Sequence, residues 1–278
     1  MAFLCNSQIT DNMKIDLTKA KVVYKKTIEN ADKIASDIAN LLGCNYSSVD
    51  DLPTDATLLI VIGGDGTLLR CAHHASKYDI PIFGFNMGRL GFLAQANLYE
   101  KDLVLKSLKE GSFRIEERLM LNDSSNNVAL NDIVIKNVDC AKTSTLELKI
   151  NNKQVCSYLA DGLIVSTPTG STAYNLSAGG AVIAPEIDCI TIVPICAHTL
   201  SARPIVVSAN DKIEIDFHSS DSEFQIIVDG QVTKIENNSI KIKKHDKKAK
   251  LLLLNYQNKE FYDVLRDKLH WGVAPQRW

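Results

Sequence analysis

The sequence predicts an α/β region followed by a β-rich one. Three observations carry this expectation. Strand and helix signals alternate through the first third. Strand signals then crowd together after Gly111, and one apolar helical stripe closes the chain.

The elements read as follows. Lys21–Tyr24 is a short β-like run. Residues 31–42 place Ile34, Ile38, Leu41 and Leu42 at helical spacing, with Gly43 positioned to end the helix. Leu58–Ile62 is wholly apolar and stops at Gly63-Gly64, as expected of a strand buried on both faces. Residues 67–76 read as a helix, and Pro81–Phe85 as a second buried strand. After Gly111 the strand signals are Val128–Ile135, Leu146–Ile150, Val155–Leu159, Leu163–Ser166, Ile190–Pro194, Ile205–Val207, Ile213–Phe217 and Phe224–Val228. Asn151-Asn152 predicts a tight hairpin turn. Ile213, Ile215 and Phe217 alternate with Glu214 and Asp216, which fits a strand with one wet face. Lys243-Lys244 through Lys250 reads as a solvated turn. Phe261, Val264, Leu265 and Leu269 form the tail stripe. The expected architecture is a Rossmann-like α/β domain over 1–115, joined by a returning tail at 255–278, and a β-sandwich-like domain over 116–254.

With 278 residues, 45% hydrophobic and 23% charged, the chain can bury a sizeable core. A net charge of −2 gives no reason to expect nucleic acid or a membrane surface as partner. No apolar run approaches bilayer length, and the start lacks a secretory pattern, so a cytoplasmic location is expected. The seven cysteines, Cys5, Cys44, Cys71, Cys140, Cys156, Cys189 and Cys196, are odd in number and lack C-x-x-C spacing. They read as reduced thiols rather than a disulfide framework or a zinc site.

Chemistry is expected first at Leu58–Thr67, where a buried strand delivers a glycine turn and then a helix. Ligands of open α/β sheets sit at the carboxyl ends of strands. Gly63, Gly64 and Gly66 let backbone amides approach a phosphate, and the helix start adds partial positive charge. Asp65 stands in the middle of this turn. A carboxylate there is unfavourable beside phosphates unless it takes a proton from an attacking hydroxyl or helps hold Mg²⁺. The alternative is that it caps a helix starting near Thr67. The turn lacks the G-K-[ST] of a P-loop, and Leu69 occupies the third glycine position of the dinucleotide fingerprint.

Three further segments stand out. Tyr158–Gly180 carries a strand that breaks at Pro168-Thr169-Gly170, with a helix expected to open near Ser171–Thr172. Its hydroxyls at Ser166, Thr167, Thr169, Ser171, Thr172 and Ser177 suit a ribose or an adenine, and Tyr174 offers a ring for stacking; an ordinary capped turn is the plainer reading. Asn131-Asp132 interrupts an apolar strand, so the pair either reads an adenine edge and a ribose or marks a bulge. In Ala197–Pro204, His198 and Arg203 suit an anionic ligand, although a lone histidine is commonly structural.

Gly63–Gly66, Asn131-Asp132, Asp161–Ser177, Leu200–Pro204 and Asn86-x-Gly88-x-Leu90-Gly91-Phe92-Leu93 occur together in the order and spacing of the NAD kinase family, which this chain resembles from about 58 to about 231. The resemblance implies phosphoryl transfer from ATP to NAD, with Mg²⁺ or another divalent ion and a homodimer or homotetramer. It implies Asp65 as the base or orienting group, and Gly63, Gly64 and Gly66 beside the phosphates. It implies NAD contacts at Asp65, Gly66, Asn131, Asp132, Asp161 and the run Thr172, Ala173, Tyr174, Asn175, Leu176 and Ser177, with further contacts at Arg70, Lys142 and Gln231. The metal would be held mainly by nucleotide phosphates. Many family members carry Glu where this chain has Asp132, which is one methylene shorter. The alternatives are a non-catalytic NAD(P) sensor, and a lipid or sugar kinase sharing the glycine turn.

Overall fold

The computed structural model describes residues 15–88, 91–139, 144–218, 223–233, 237–256 and 261–269. Lys142, Leu90, Cys5 and Cys140 lie outside the described residues. The chain divides into two compact units, Met1–Glu117 with Ala249–Trp278, and Arg118–Lys248.

The first unit opens with β1 (Lys21–Tyr24), α1 (Ala31–Leu42), β2 (Asn45–Ser48), β3 (Leu59–Ile62), α2 (Asp65–Tyr78) and β4 (Ile82–Asn86). Then come β5 (Ala96–Asn97), α3 (Lys101–Glu110) and β6 (Phe113–Arg118). The apolar face of α1 buries Ala31, Ala35, Ile38 and Leu42, and Gly43 ends the helix in the left-handed region at φ +69°. The second unit holds β7 (Leu121–Asp123), β8 (Val128–Ala129), β9 (Asp132–Asn137), β10 (Ser144–Ile150), β11 (Lys153–Ala160) and β12 (Gly162–Ser166). It continues through α4 (Tyr174–Ser177), β13 (Cys189–Ile195), β14 (Ile205–Ser208), β15 (Ile213–His218), β16 (Phe224–Val228), β17 (Gln231–Thr233) and β18 (Ser239–Lys244). The chain returns to the first unit as β19 (Ala249–Leu254) and α5 (Phe261–Leu269).

The first unit is built on a seven-stranded sheet of order β2-β1-β3-β4-β19-β6, with β5 on β4. Strands β1 to β4 are parallel. From β1 the chain first steps outward to β2 and then crosses to β3 on the other side of β1. The direction of progression therefore reverses between β1 and β3, and such a point opens a crevice at the strands' carboxyl ends. The glycine turn leaves β3 at that place.

The second unit contains two six-stranded sheets, β11-β10-β15-β18-β7-β8 and β14-β13-β12-β9-β16-β17. Their facing residues share one core: Leu146, Leu148, Ile215 and Phe217 from the first sheet, and Ile133, Ile135, Leu163 and Val165 from the second. This is a sandwich, with alternating residues of each strand turned inward. Asn151 and Asn152 both have positive φ, +52° and +64°, and close the β10–β11 hairpin as their sequence predicts.

Four local expectations are corrected. The helix expected at 67–76 begins at Asp65. The single strand expected over Val128–Ile135 is broken at Leu130-Asn131. The helix expected from Ser171–Thr172 is a 3₁₀ turn at Thr169–Thr172, an interruption at Ala173 (φ −100°, ψ −130°), and the single turn of α4. The lysine-rich stretch is a bend only over 245–248: Lys243 and Lys244 end β18, and Lys250 lies in β19.

Candidate functional site

The glycine turn is built tightly on one side and openly on the other. Gly63 donates its amide to the Phe85 carbonyl (3.0 Å), and a Cβ there would lie 2.7 Å from Thr67 Cβ. Packing thus explains Gly63. It does not explain Gly64 or Gly66, where a Cβ would meet nothing within 4 Å. Gly64 is the N-cap of α2, with extended backbone (φ −101°) and no side-chain cap; the Thr67 amide turns back to the Gly64 carbonyl at 2.9 Å, and no side chain covers the start of the helix.

Asp65 is the first residue of α2 rather than a cap before it. Its carboxylate reaches away from its own helix. Oδ2 accepts the Phe92 amide at 2.9 Å, and Oδ1 accepts those of Leu93 and Ala94 at 3.3 Å each. Gly91 makes the approach possible, since a Cβ on it would fall 2.1 Å from both carboxylate oxygens. Arg70, one turn further along α2, pairs with Asp50 at 3.0 Å, and Lys26 pairs with the same carboxyl at 3.2 Å. The hydrogen bond from Lys26 is the main cause that holds Asp50 below its ordinary carboxylate range. These groups gather at the carboxyl ends of β1 and β3.

In the second unit, Asn131 lies in the break between β8 and β9, and Asp132 is the first residue of β9. Asp229 causes that break: Oδ2 accepts the Leu130 amide (2.7 Å), and Oδ1 accepts those of Asn131 (2.8 Å) and Asp132 (3.0 Å). Thr167 secures the other side. Its hydroxyl donates to the Leu130 carbonyl at 2.6 Å and its amide to the Asn131 carbonyl at 2.9 Å. Gly170 lies against the same bend, where a Cβ would stand 2.2 Å from the Asn131 carbonyl oxygen. Asp132 is buried, and burial, followed by the charge of Asp229, raises its carboxyl to about 7.

The remaining candidates occupy the same unit. Thr172, Ala173 and Leu176 are half-buried, and Tyr174 and Ser177 are exposed. Asn175 is fully buried beneath them. Its amide group donates to the Ser171 and Ala181 carbonyls at 3.2 Å, and its carbonyl accepts the Thr191 hydroxyl at 2.9 Å. That residue braces the loop from below. Gln231 is exposed, two residues past Asp229. Asp161 is half-buried between β11 and β12, with His198 Nε2 at 3.8 Å. The structure therefore groups Asp65, Gly64, Gly66 and Arg70 in one unit, and Asn131, Asp132, the 172–177 loop and Gln231 in the other. Sequence reasoning passed over Asp229, although Asp-Gly at 229–230 between two strand signals marks a hairpin. It also passed over the reason for Gly91. Among the described residues, no group of three His, Cys, Asp or Glu side chains is placed to hold a metal ion.

Residues 5–113 match the ATP-NAD kinase N-terminal domain, and residues 130–254 match the ATP-NAD kinase C-terminal domain. The chain belongs to the NAD kinase family. It is 38% identical to the NAD kinase of Geotalea daltonii over 246 residues, covering 84% of this chain and 86% of that one. It is 37% identical to the NAD kinase of Geobacter sulfurreducens over 250 residues, covering 86% and 87%. A crystal structure of an NAD kinase from Archaeoglobus fulgidus in complex with ATP superposes with a TM-score of 0.76 at 28% identity, over 90% of this chain and 98% of that one. The yeast NADH kinase complexed with NADH, 22% identical, shares the fold with a TM-score of 0.80 over 98% and 94%. The activity is that of an NAD kinase, a phosphotransferase. Neither the sensor reading nor the lipid or sugar kinase reading is favoured.

Proposed function

We propose that the chain moves the γ-phosphoryl of ATP onto the 2′-hydroxyl of the adenosine ribose of NAD, with Asp65 as the residue that orients this hydroxyl and takes its proton. The glycine turn carries the reading. Neither backbone strain nor packing demands glycine at 64 or 66, and the space beside both is open. Open glycines at an uncapped helix start suit close approach of a phosphate chain. An ionised carboxylate offers about four acceptor positions. Three of those of Asp65 are used by the 92–94 amides. One is left for a single hydroxyl, and the amides fix its direction.

In this reading Asn131 takes the adenine edge and Asp132 the ribose hydroxyls. Thr172, Ala173, Tyr174, Leu176 and Ser177 line the adenosine pocket, with Asn175 supporting them. Asp161 contacts the nicotinamide end, and Arg70, Lys142 and Gln231 add polar contacts. The A. fulgidus relative with bound ATP supports ATP as donor. The donor set fits a divalent cation such as Mg²⁺ carried on the nucleotide phosphates, because Asp65 is already engaged by amides. Such a cation supplies counter-charge to the phosphates when bound. The chain's own part is positioning and proton acceptance. A homodimer or homotetramer in the cytoplasm completes the proposal; the exposed apolar side chains Leu200, Val206 and Val232 fit a subunit contact.

The test is NADP formation from NAD, ATP and Mg²⁺ with purified protein, read by an NADP-specific dehydrogenase. Asp65→Asn should lower turnover by about two to four powers of ten, with NAD affinity much less affected. Undiminished turnover in that variant would remove Asp65 from its role. Absence of product from the native chain with NAD still bound would return the sensor reading.

A further inference from the structure

We propose that Asp229 is a positioning residue for the nucleotide site: by gathering the amides of Leu130, Asn131 and Asp132 it sets the direction in which Asn131 and Asp132 face NAD. The proposal rests on the reading of that pair as the adenosine-binding residues.

The geometry is unusual for a strand. In the β9–β16 ladder the last paired residues are Ile133 and Val228. One residue on, the Asp229 amide still donates to the Asp132 carbonyl at 3.0 Å, so the main chain continues the ladder. The side chain does not. At φ +46° the Asp229 backbone turns into the hairpin, and its carboxylate swings back to accept three successive amides at 2.7, 2.8 and 3.0 Å. A continuous strand spends successive amides on alternate sides. Three amides converging on one carboxylate instead form a concave anion-holding bend. The carbonyls of Leu130 and Asn131 are meanwhile taken by Thr167. The main chain of the bend is thus fixed from both sides, and with it the direction of the two side chains.

The hairpin that begins at Asp229 leads through Gly230 (φ +79°) directly into Gln231. One carboxylate therefore couples two segments assigned to NAD.

A purely structural role is the competing account, and the same unit provides a matched control. Asp123 is buried and accepts the Ser125 amide (2.9 Å), the Asn127 amide (2.9 Å) and the Asn127 side-chain amide (2.8 Å). It makes a similar set of bonds in the β7–β8 connection.

The experiment compares Asp229→Asn with Asp123→Asn in the full chain, measuring KM for NAD, KM for ATP, kcat and thermal midpoint. Asparagine tolerates positive φ, so the turn itself is permitted. Its Oδ1 keeps two of the amides, while Nδ2 meets the Leu130 N–H donor to donor. Asp229→Asn should raise KM for NAD by about tenfold or more, with KM for ATP and kcat within about threefold. Asp123→Asn should lower the thermal midpoint and leave both KM values in place. An unchanged KM for NAD in Asp229→Asn overturns the proposal, as does an equal rise in both KM values or an equal NAD effect from Asp123→Asn. If Asp229→Asn fails to fold, Thr167→Val loosens the same bend from the carbonyl side and should raise KM for NAD in the same selective way; no such rise overturns the proposal. A native chain that forms no NADP at all would instead remove the reading on which the proposal stands.

Discussion

Gly91→Ala should cost this enzyme about two powers of ten in turnover without replacing any residue assigned to either substrate. The added methyl carbon would stand 2.1 Å from both oxygens of Asp65. Unbonded carbon and oxygen atoms settle near 3.5 Å, so the carboxylate or the 91–94 segment must yield by roughly 1 Å or more. Either movement stretches the amide bonds, now 2.9, 3.3 and 3.3 Å, out of range. At about 1 kcal/mol net for each bond, close to 3 kcal/mol of local order is lost. A misplacement near 1 Å at a reacting group costs about a hundredfold in rate. Backbone strain is not the cause, since Gly91 lacks a positive φ. Initial rates of NADP formation, beside a thermal melt showing that the variant is folded, check the expectation. A folded Gly91→Ala protein with kcat within about twofold of the native value would refute the link between loop geometry and turnover.

Three other outcomes follow from the same structure. Gly66→Ala puts a methyl group into open space within a helix, so it should hold or raise stability by about 0.5–1 kcal/mol while sharply raising KM for ATP; thermal melts and steady-state kinetics separate the two effects. Asn175→Ala removes three hydrogen bonds of a buried side chain and should destabilise by about 3 kcal/mol, measured by urea unfolding. Asp132 is held at about 7 by burial and by Asp229, above its unfolded value near 4. The folded state therefore binds the extra proton between these values, so this residue's contribution to stability is present below about pH 4 and is lost as pH rises through 7. Asp132→Asn should flatten that portion of the stability curve, and an unaltered curve would show that Asp132 is not the group titrating there.

Much of the fold was legible because its signals are local. Leu58–Ile62 is apolar at every position, and β3 is buried at every position; Gly43 ends α1 where a left-handed residue is needed. Features that depend on distant residues were not legible. The run Val128–Ile135 reads as one strand, with a bulge at Asn131-Asp132 as the alternative, and the groups that hold it broken are distant: Thr167, and Asp229, 98 residues beyond Asn131. The helix α3 went unread although Val104, Leu105 and Leu108 give it a buried face, because charged residues fill the rest. At the glycine turn the sequence identified Asp65 but misjudged its surroundings. Nothing in Gly63–Thr67 reveals that the carboxylate answers to amides at 92–94. Asn175 is a further case: nothing in its hydroxyl-rich loop reveals that it is buried and bonded to Ser171, Ala181 and Thr191.

The placement of β19 has a consequence for how the chain reaches its native state. This strand lies between β4 and β6 in the sheet order, yet those neighbours are finished by residue 118 and β19 starts at 249. During synthesis the first unit must wait with two unpaired edges while some 130 residues emerge, and long-range pairing of this kind is slow and exposes sticky edges. A chain released before residue 249 lacks the strand that fills the gap and should aggregate rather than accumulate as a soluble fragment. Only a chain that extends through residue 254 can seal the first sheet.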